Sequence, residues 1–157
     1  MNPQDSLDEL IDDLYATFAR YAEPGMSFCS YCYSDSMLQR IRLTPLRQLS
    51  PDDARTLLWD SWDHWESQDI YRHYLPRMLQ IWGPPFWEED LYMGHLFETI
   101  LSLGFADWPA DERSAITTYL RKLASLIKFV LPEDRDRFLL QVQNLEKPPN
   151  TQPQPTT

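Results

Sequence analysis

Apolar residues recur along this chain with the spacing of helices and almost nowhere with the alternation of strands. The densest pattern covers residues 50–83 and falls into two amphipathic pieces. In the first, Ala54, Leu57, Leu58, Trp62 and Trp65 share one stripe; in the second, Tyr71, Tyr74, Leu75, Met78, Leu79 and Trp82 do. Both obey the i, i+3, i+4, i+7 rule of a helix with one buried face. Only residues 66–69 separate them, short enough for an antiparallel pair. Pro76 lies inside the second piece, where it lacks the donor for the i−4 bond and crowds the preceding turn. The sequence allows either a kink there or a new helix that Pro76 opens.

The same period continues in both directions. Over residues 5–22, Leu7, Leu10, Ile11, Leu14, Phe18 and Tyr21 fall on one face. Asp8, Glu9, Asp12 and Asp13 occupy the early turns, where carboxylates favour the helix dipole. Pro24 and Gly25 end that helix. A short helix is predicted over 35–43; Arg40 and Arg42, with Arg47 close behind, form the basic island of an acidic chain. Ser50, Pro51, Asp52 and Asp53 give a start signal of N-cap, proline at the first helical position and first-turn acids. Further helices are predicted over 88–103, through Leu91, His95, Leu96, Ile100 and Leu103, and from Pro109 to about Val130. The latter carries Asp111 and Glu112 in its first turn and turns Ile116, Tyr119, Leu120, Leu123, Ile127 and Val130 inward. A last one over 133–145 uses Phe138, Leu139, Val142 and Leu145. Residues 146–157, EKPPNTQPQPTT, are Pro-rich and nearly free of apolar side chains, which predicts a disordered tail. The expected fold is all-α: one compact domain over 1–145, about six helices packed as antiparallel pairs.

Charge and composition narrow the function. A chain of 157 residues with a net charge of -10 can build one real core, and it repels nucleic acid and anionic lipid. It favours a basic protein partner, or means no more than a solvated acidic surface that keeps the chain soluble. No run of about 18 apolar residues occurs, so no membrane span is expected. The opening MNPQD is acidic, without the apolar stretch of a signal peptide, which points to a cytoplasmic protein. In that compartment Cys29 and Cys32 are thiols or metal ligands rather than a disulfide.

Three groups of residues can carry chemistry. Cys29 and Cys32, at C-x2-C spacing, supply two of the four ligands that zinc requires, with His73 as the candidate third. No second C-x2-C exists, and a lone pair is also read as two small buried thiols. The expectation is no cofactor, with a zinc-stabilised module as the alternative. His64 and His73 stand four residues after Asp60 and Asp69, a spacing typical of contacts on a helix surface. With no nucleophile, orienter and electrophile clamp to assemble around them, the chain reads as a non-enzyme; an enzyme of unrecognised type is the remaining alternative. The third group is aromatic: Trp59, Trp82, Phe86, Trp87 and Trp108. Phe86 and Trp87 follow two prolines and meet Glu88, Glu89 and Asp90, an acid-rimmed aromatic patch of the kind protein-binding faces use. The competing expectation is that such rings close the core at helix ends.

Four short motifs occur together: C-x2-C at 29–32, PLR-x-L at 45–49, YRHYLPR at 71–77 and GF-x2-WP at 104–109. This set resembles a group of small bacterial proteins with no established activity, in which the third motif commonly reads FRHFLPR. The resemblance spans roughly residues 27–125 and omits the first helix. It implies a bacterial cytosolic origin and a shared task, which can be structural, for Cys29, Cys32, Arg72, His73, Pro76 and Arg77. The function expected from all this is a non-enzymatic acidic module that binds a basic protein partner through Phe86, Trp87, Glu88, Glu89 and Asp90; an immunity protein that neutralises a basic toxin domain is its concrete form.

Overall fold

The computed structural model describes residues 3–21, 33–59, 67–83, 93–129 and 132–148; side chains at 3–5, 58, 59, 93 and 94 are outside that description. Its regular elements are α1 (Pro3–Phe18), α2 (Asp35–Leu43), α3 (Pro51–Trp59), α4 (Gln68–Gln80), α5 (Met93–Ser102), α6 (Ala110–Leu126) and α7 (Pro132–Glu146). Among the described residues there is no strand, so the all-α expectation holds, with seven helices in one domain. Single 3₁₀ turns at Ala19–Tyr21, Leu46–Gln48 and Phe105–Asp107 make the corners.

α4 is the central element. Tyr71, Tyr74, Leu75, Pro76, Arg77, Met78 and Leu79 are all buried, so most of its circumference is covered. α1 and α3 pack on it, as do the turns at 19–21 and 46–48. Pro76 neither starts a helix nor splits one, since α4 runs unbroken through it. Packing on several sides holds the helix across the missing backbone bond. The Tyr119 hydroxyl of α6 adds a tie, donating to the Leu79 carbonyl at 2.8 Å. A Cβ added at Gly83 would come within 3.0 Å of that hydroxyl, so glycine there lets the chain leave α4 close beside Tyr119.

The remaining helices follow from their stripes. Leu7, Ile11, Leu14 and Phe18 bury one face of α1 against α4 and α6. Consecutive helices α3 and α4 pack together, as expected of the two pieces of residues 50–83, and α6 packs on α7. The main neighbour of α1 is α6, nearly a hundred residues on, which the local pattern does not reveal. Gly104 takes φ 71°, the left-handed conformation that glycine adopts without strain, and so turns the chain out of α5. α6 stops at Leu126, short of the predicted 130: Ile127 has ψ 135°, and Pro132 opens α7 five residues later, where its fixed φ suits the first helical position. α7 continues one residue past the predicted end. The tail from 149, residues 60–66 with Trp62 and Trp65, and residues 84–92 lie outside the described residues.

α2 is tied to α3 by a fork. Arg40 Nε and Nη2 donate to the two carboxylate oxygens of Asp53, at 3.0 and 2.5 Å. Ser50 Oγ caps α3 by accepting from the Asp53 amide at 3.1 Å. The Arg40 guanidinium holds the Asp53 carboxyl below the usual carboxylate range, against an opposing push from burial. A carboxyl lowered on folding stabilises fully above its unfolded pKa, near 4, and loses that contribution as pH falls through the lower folded value. Asp53→Asn is therefore expected to flatten the acid limb of stability below about pH 4, read as urea midpoints at successive pH values. An acid limb identical to that of the parent chain would show that the fork does not act in solution.

Candidate functional site

Both arginines of YRHYLPR serve as ties between elements. Arg77 is buried; its Nε and Nη2 both donate to the Leu49 carbonyl, at 2.9 and 2.6 Å, and its Nη1 donates to Gln80 Oε1 at 2.7 Å. The same Gln80 oxygen accepts from the Tyr15 hydroxyl at 2.9 Å. One guanidinium thus joins α4 to the end of PLR-x-L and, through Gln80, to α1. Arg72, one turn and a half earlier, reaches the opposite way. Its Nη1 donates to the Tyr21 hydroxyl at 2.8 Å, and its guanidinium lies 4.2 Å from the centre of the Trp108 ring. The Tyr21 hydroxyl in turn donates to Glu112 Oε1 at 2.6 Å. Three of the four motifs meet on α4 in this way.

Glu112 stands in the first turn of α6, as expected, but its burial was not foreseen: it is 0 % exposed, with Arg72 Nη1 and Arg20 Nη1 each 3.8 Å from one of its oxygens. Arg20 also pairs with the exposed Asp111. A signal existed: Glu112, Ile116, Tyr119, Leu120 and Leu123 stand at i, i+4, i+7, i+8 and i+11, so Glu112 begins the buried stripe.

Between α1, the turn at 45–49 and α4 lies a groove of about 420 Å³. Phe18, Leu46 and Pro76 supply its apolar lining, and Asp12, Arg47 and His73 its polar groups. Arg47 Nη1 donates to Asp12 Oδ1 at 2.7 Å, while the guanidinium sits 4.0 Å over the ring of Tyr15. Burial pushes the Tyr15 phenol above its ordinary value, opposed by Arg77 and Arg47. His73 lies edge-on to Tyr74, ring centres 4.8 Å apart.

Of the expected site residues, Phe86, Trp87, Glu88, Glu89 and Asp90 lie outside the described residues, as do Cys29, Cys32, Asp60 and His64. His73, the third candidate zinc ligand, is in the groove; among the described residues no three His, Cys, Asp or Glu gather as a metal site. Trp82 and Trp108 leave the candidate binding group: they are 0 % and 3 % exposed, and Trp108 Nε1 donates to the Leu103 carbonyl at 3.1 Å. These two rings close the core. No described helix is long and apolar enough to cross a membrane. Comparison with protein-family models, curated proteins and solved structures gives no match.

Proposed function

We propose that this chain is a non-enzymatic acidic module that binds and sequesters a basic protein, in its concrete form an immunity protein for a basic toxin domain. The observation that supports it is the two-sidedness of α1. Leu7, Ile11, Leu14 and Phe18 bury one side, while Asp8, Glu9, Asp12 and Asp13 stand exposed on the other. Four carboxylates facing solvent along one helix contribute little to the core, and on a chain of net charge -10 they create a field that draws in a cationic surface. The buried charged groups Arg77, Glu112 and Asp53, and the part-buried Arg72, are occupied in holding helices together. The acid-rimmed segment with Phe86, Trp87, Glu88, Glu89 and Asp90 is proposed as a second part of the contact.

The test is co-expression with the product of the adjacent reading frame. The expected result is a complex that protects cells from that product and associates more slowly as salt rises. Reversal of Asp8, Glu9, Asp12 and Asp13 to lysine is expected to slow association at least ten-fold and to flatten its salt dependence, while the chain stays folded. A complex indifferent to both salt and charge reversal, or no complex, would overturn the proposal.

A further inference from the structure

We infer that the groove beside α1 docks a cationic segment of a protein partner that carries one bulky apolar side chain. This rests on the protein-binding role proposed above and adds what the groove itself holds. Along α1 and the turn that ends it, Asp8, Asp12, Ala16 and Ala19 stand at i, i+4, i+8 and i+11, a single row on the helix surface. All four are exposed. The first two present carboxylates; the last two line the groove, and their small side chains keep it open. From Asp8 to Ala19 the row is about 16 Å long at 1.5 Å per residue, the reach of about five residues of extended chain. Charge and apolar recess therefore form one strip. The groove, about 420 Å³, falls within the size range of small-ligand sites and has room for an indole or a branched aliphatic side chain.

Arg47 shows what the strip recognises. Its guanidinium lies on the face of Tyr15 and donates to Asp12, so an aromatic face and a carboxylate already hold a cation there. That pair is exposed on both sides, at 53 % and 68 %, and such a pair is weak enough for an incoming lysine or arginine to displace. The groups of opposite sign at the groove are Arg47 itself, the buried Arg77, whose charge acts on the Tyr15 phenol, and, when protonated, His73. Against them stand Asp8, Glu9, Asp12 and the net charge of the whole chain. An acidic peptide or a nucleic acid would be repelled; a basic peptide segment with an apolar anchor matches both halves of the strip.

Two N-acetylated peptides test this on the full chain at low ionic strength: tryptophan followed by five lysines, and alanine followed by five lysines. By calorimetric titration the tryptophan peptide is expected to bind about ten-fold more tightly. Ala16→Trp, and independently Ala19→Trp, fill the groove from exposed positions; each is expected to erase that advantage while leaving the alanine peptide and the melting temperature unchanged. Asp8→Asn with Asp12→Asn is expected to weaken both peptides several-fold. Equal affinities for the two peptides, or an advantage that survives both fillings, overturns the inference and leaves charge-driven binding standing. Binding of neither peptide overturns the inference together with the reading beneath it.

Discussion

Arg77→Ala is expected to cost this domain about 3 kcal/mol or more, because three charge-assisted bonds are lost from a buried site and their acceptors stay behind. Leu49 keeps a carbonyl that received two of them, and Gln80 keeps an amide oxygen left with only the Tyr15 hydroxyl. A single buried acceptor without a partner costs about 1–3 kcal/mol, and the space vacated by a side chain 6 % exposed adds a cavity. Since the whole stability of a domain is only about 5–15 kcal/mol, the variant will melt far below the parent chain. Arg77→Lys separates charge from geometry. Lysine keeps the charge but cannot fork onto one carbonyl while reaching Gln80, so most of the loss should remain. Urea unfolding at unchanged m-value reads both variants. If Arg77→Ala lost less than about 1 kcal/mol, the ordinary scale of a single net hydrogen bond, the tie between α4 and Leu49 would be incidental.

How far the sequence led depends on where the deciding information lies. The stripe Tyr71, Tyr74, Leu75, Met78, Leu79 and Trp82 was legible because burial at helical spacing is a local property, and all six are in the core. The bounds of α2 were legible because Ser34 caps it and Thr44, held extended before Pro45, ends it. The end of α6 was not, since Ile127 and Val130 continue the apolar period, while the backbone is already extended at Ile127, ahead of Pro132. Trp108 stayed open between binding face and core because a ring beside a proline in a turn has no period to betray its side; its place depends on Arg72 and Phe18, from two other helices. The groove was invisible for a similar reason, since it exists only when α1, the turn at 45–49 and α4 are brought together. Residues 86–90, on which the expected binding face rests, lie outside the described residues.

Glu112→Ala carries the other large effect. Glu112 is 0 % exposed and stands at the end of a relay in which Arg72 donates to Tyr21 and Tyr21 donates to Glu112. Removing one member of a buried charge pair costs about 3–5 kcal/mol, because the partner is left charged in a poorly solvated place. Arg72, with its side chain 14 % exposed, keeps the ring of Trp108 and the Tyr21 hydroxyl but loses the carboxylate that balances it. The loss should fall near the upper part of that range if the Arg20 contact to Glu112 also matters, and near the lower part if Arg20 is satisfied by Asp111. Tyr21→Phe cuts the relay while leaving both charges, so it is expected to cost roughly 1–3 kcal/mol by orphaning the Glu112 oxygen. A buried pair is weak evidence of net stabilisation, however, since apolar residues of similar volume replace such pairs at no cost or with a gain. The double variant Arg72→Met with Glu112→Leu is therefore expected to lose far less than the sum of the single variants Arg72→Met and Glu112→Leu, measured as denaturant midpoints in one double-mutant cycle. Strict additivity across that cycle would mean that Arg72 and Glu112 act separately, and that the corner formed by α1, α4 and α6 is held by the packing of Phe18, Tyr21 and Trp108 alone.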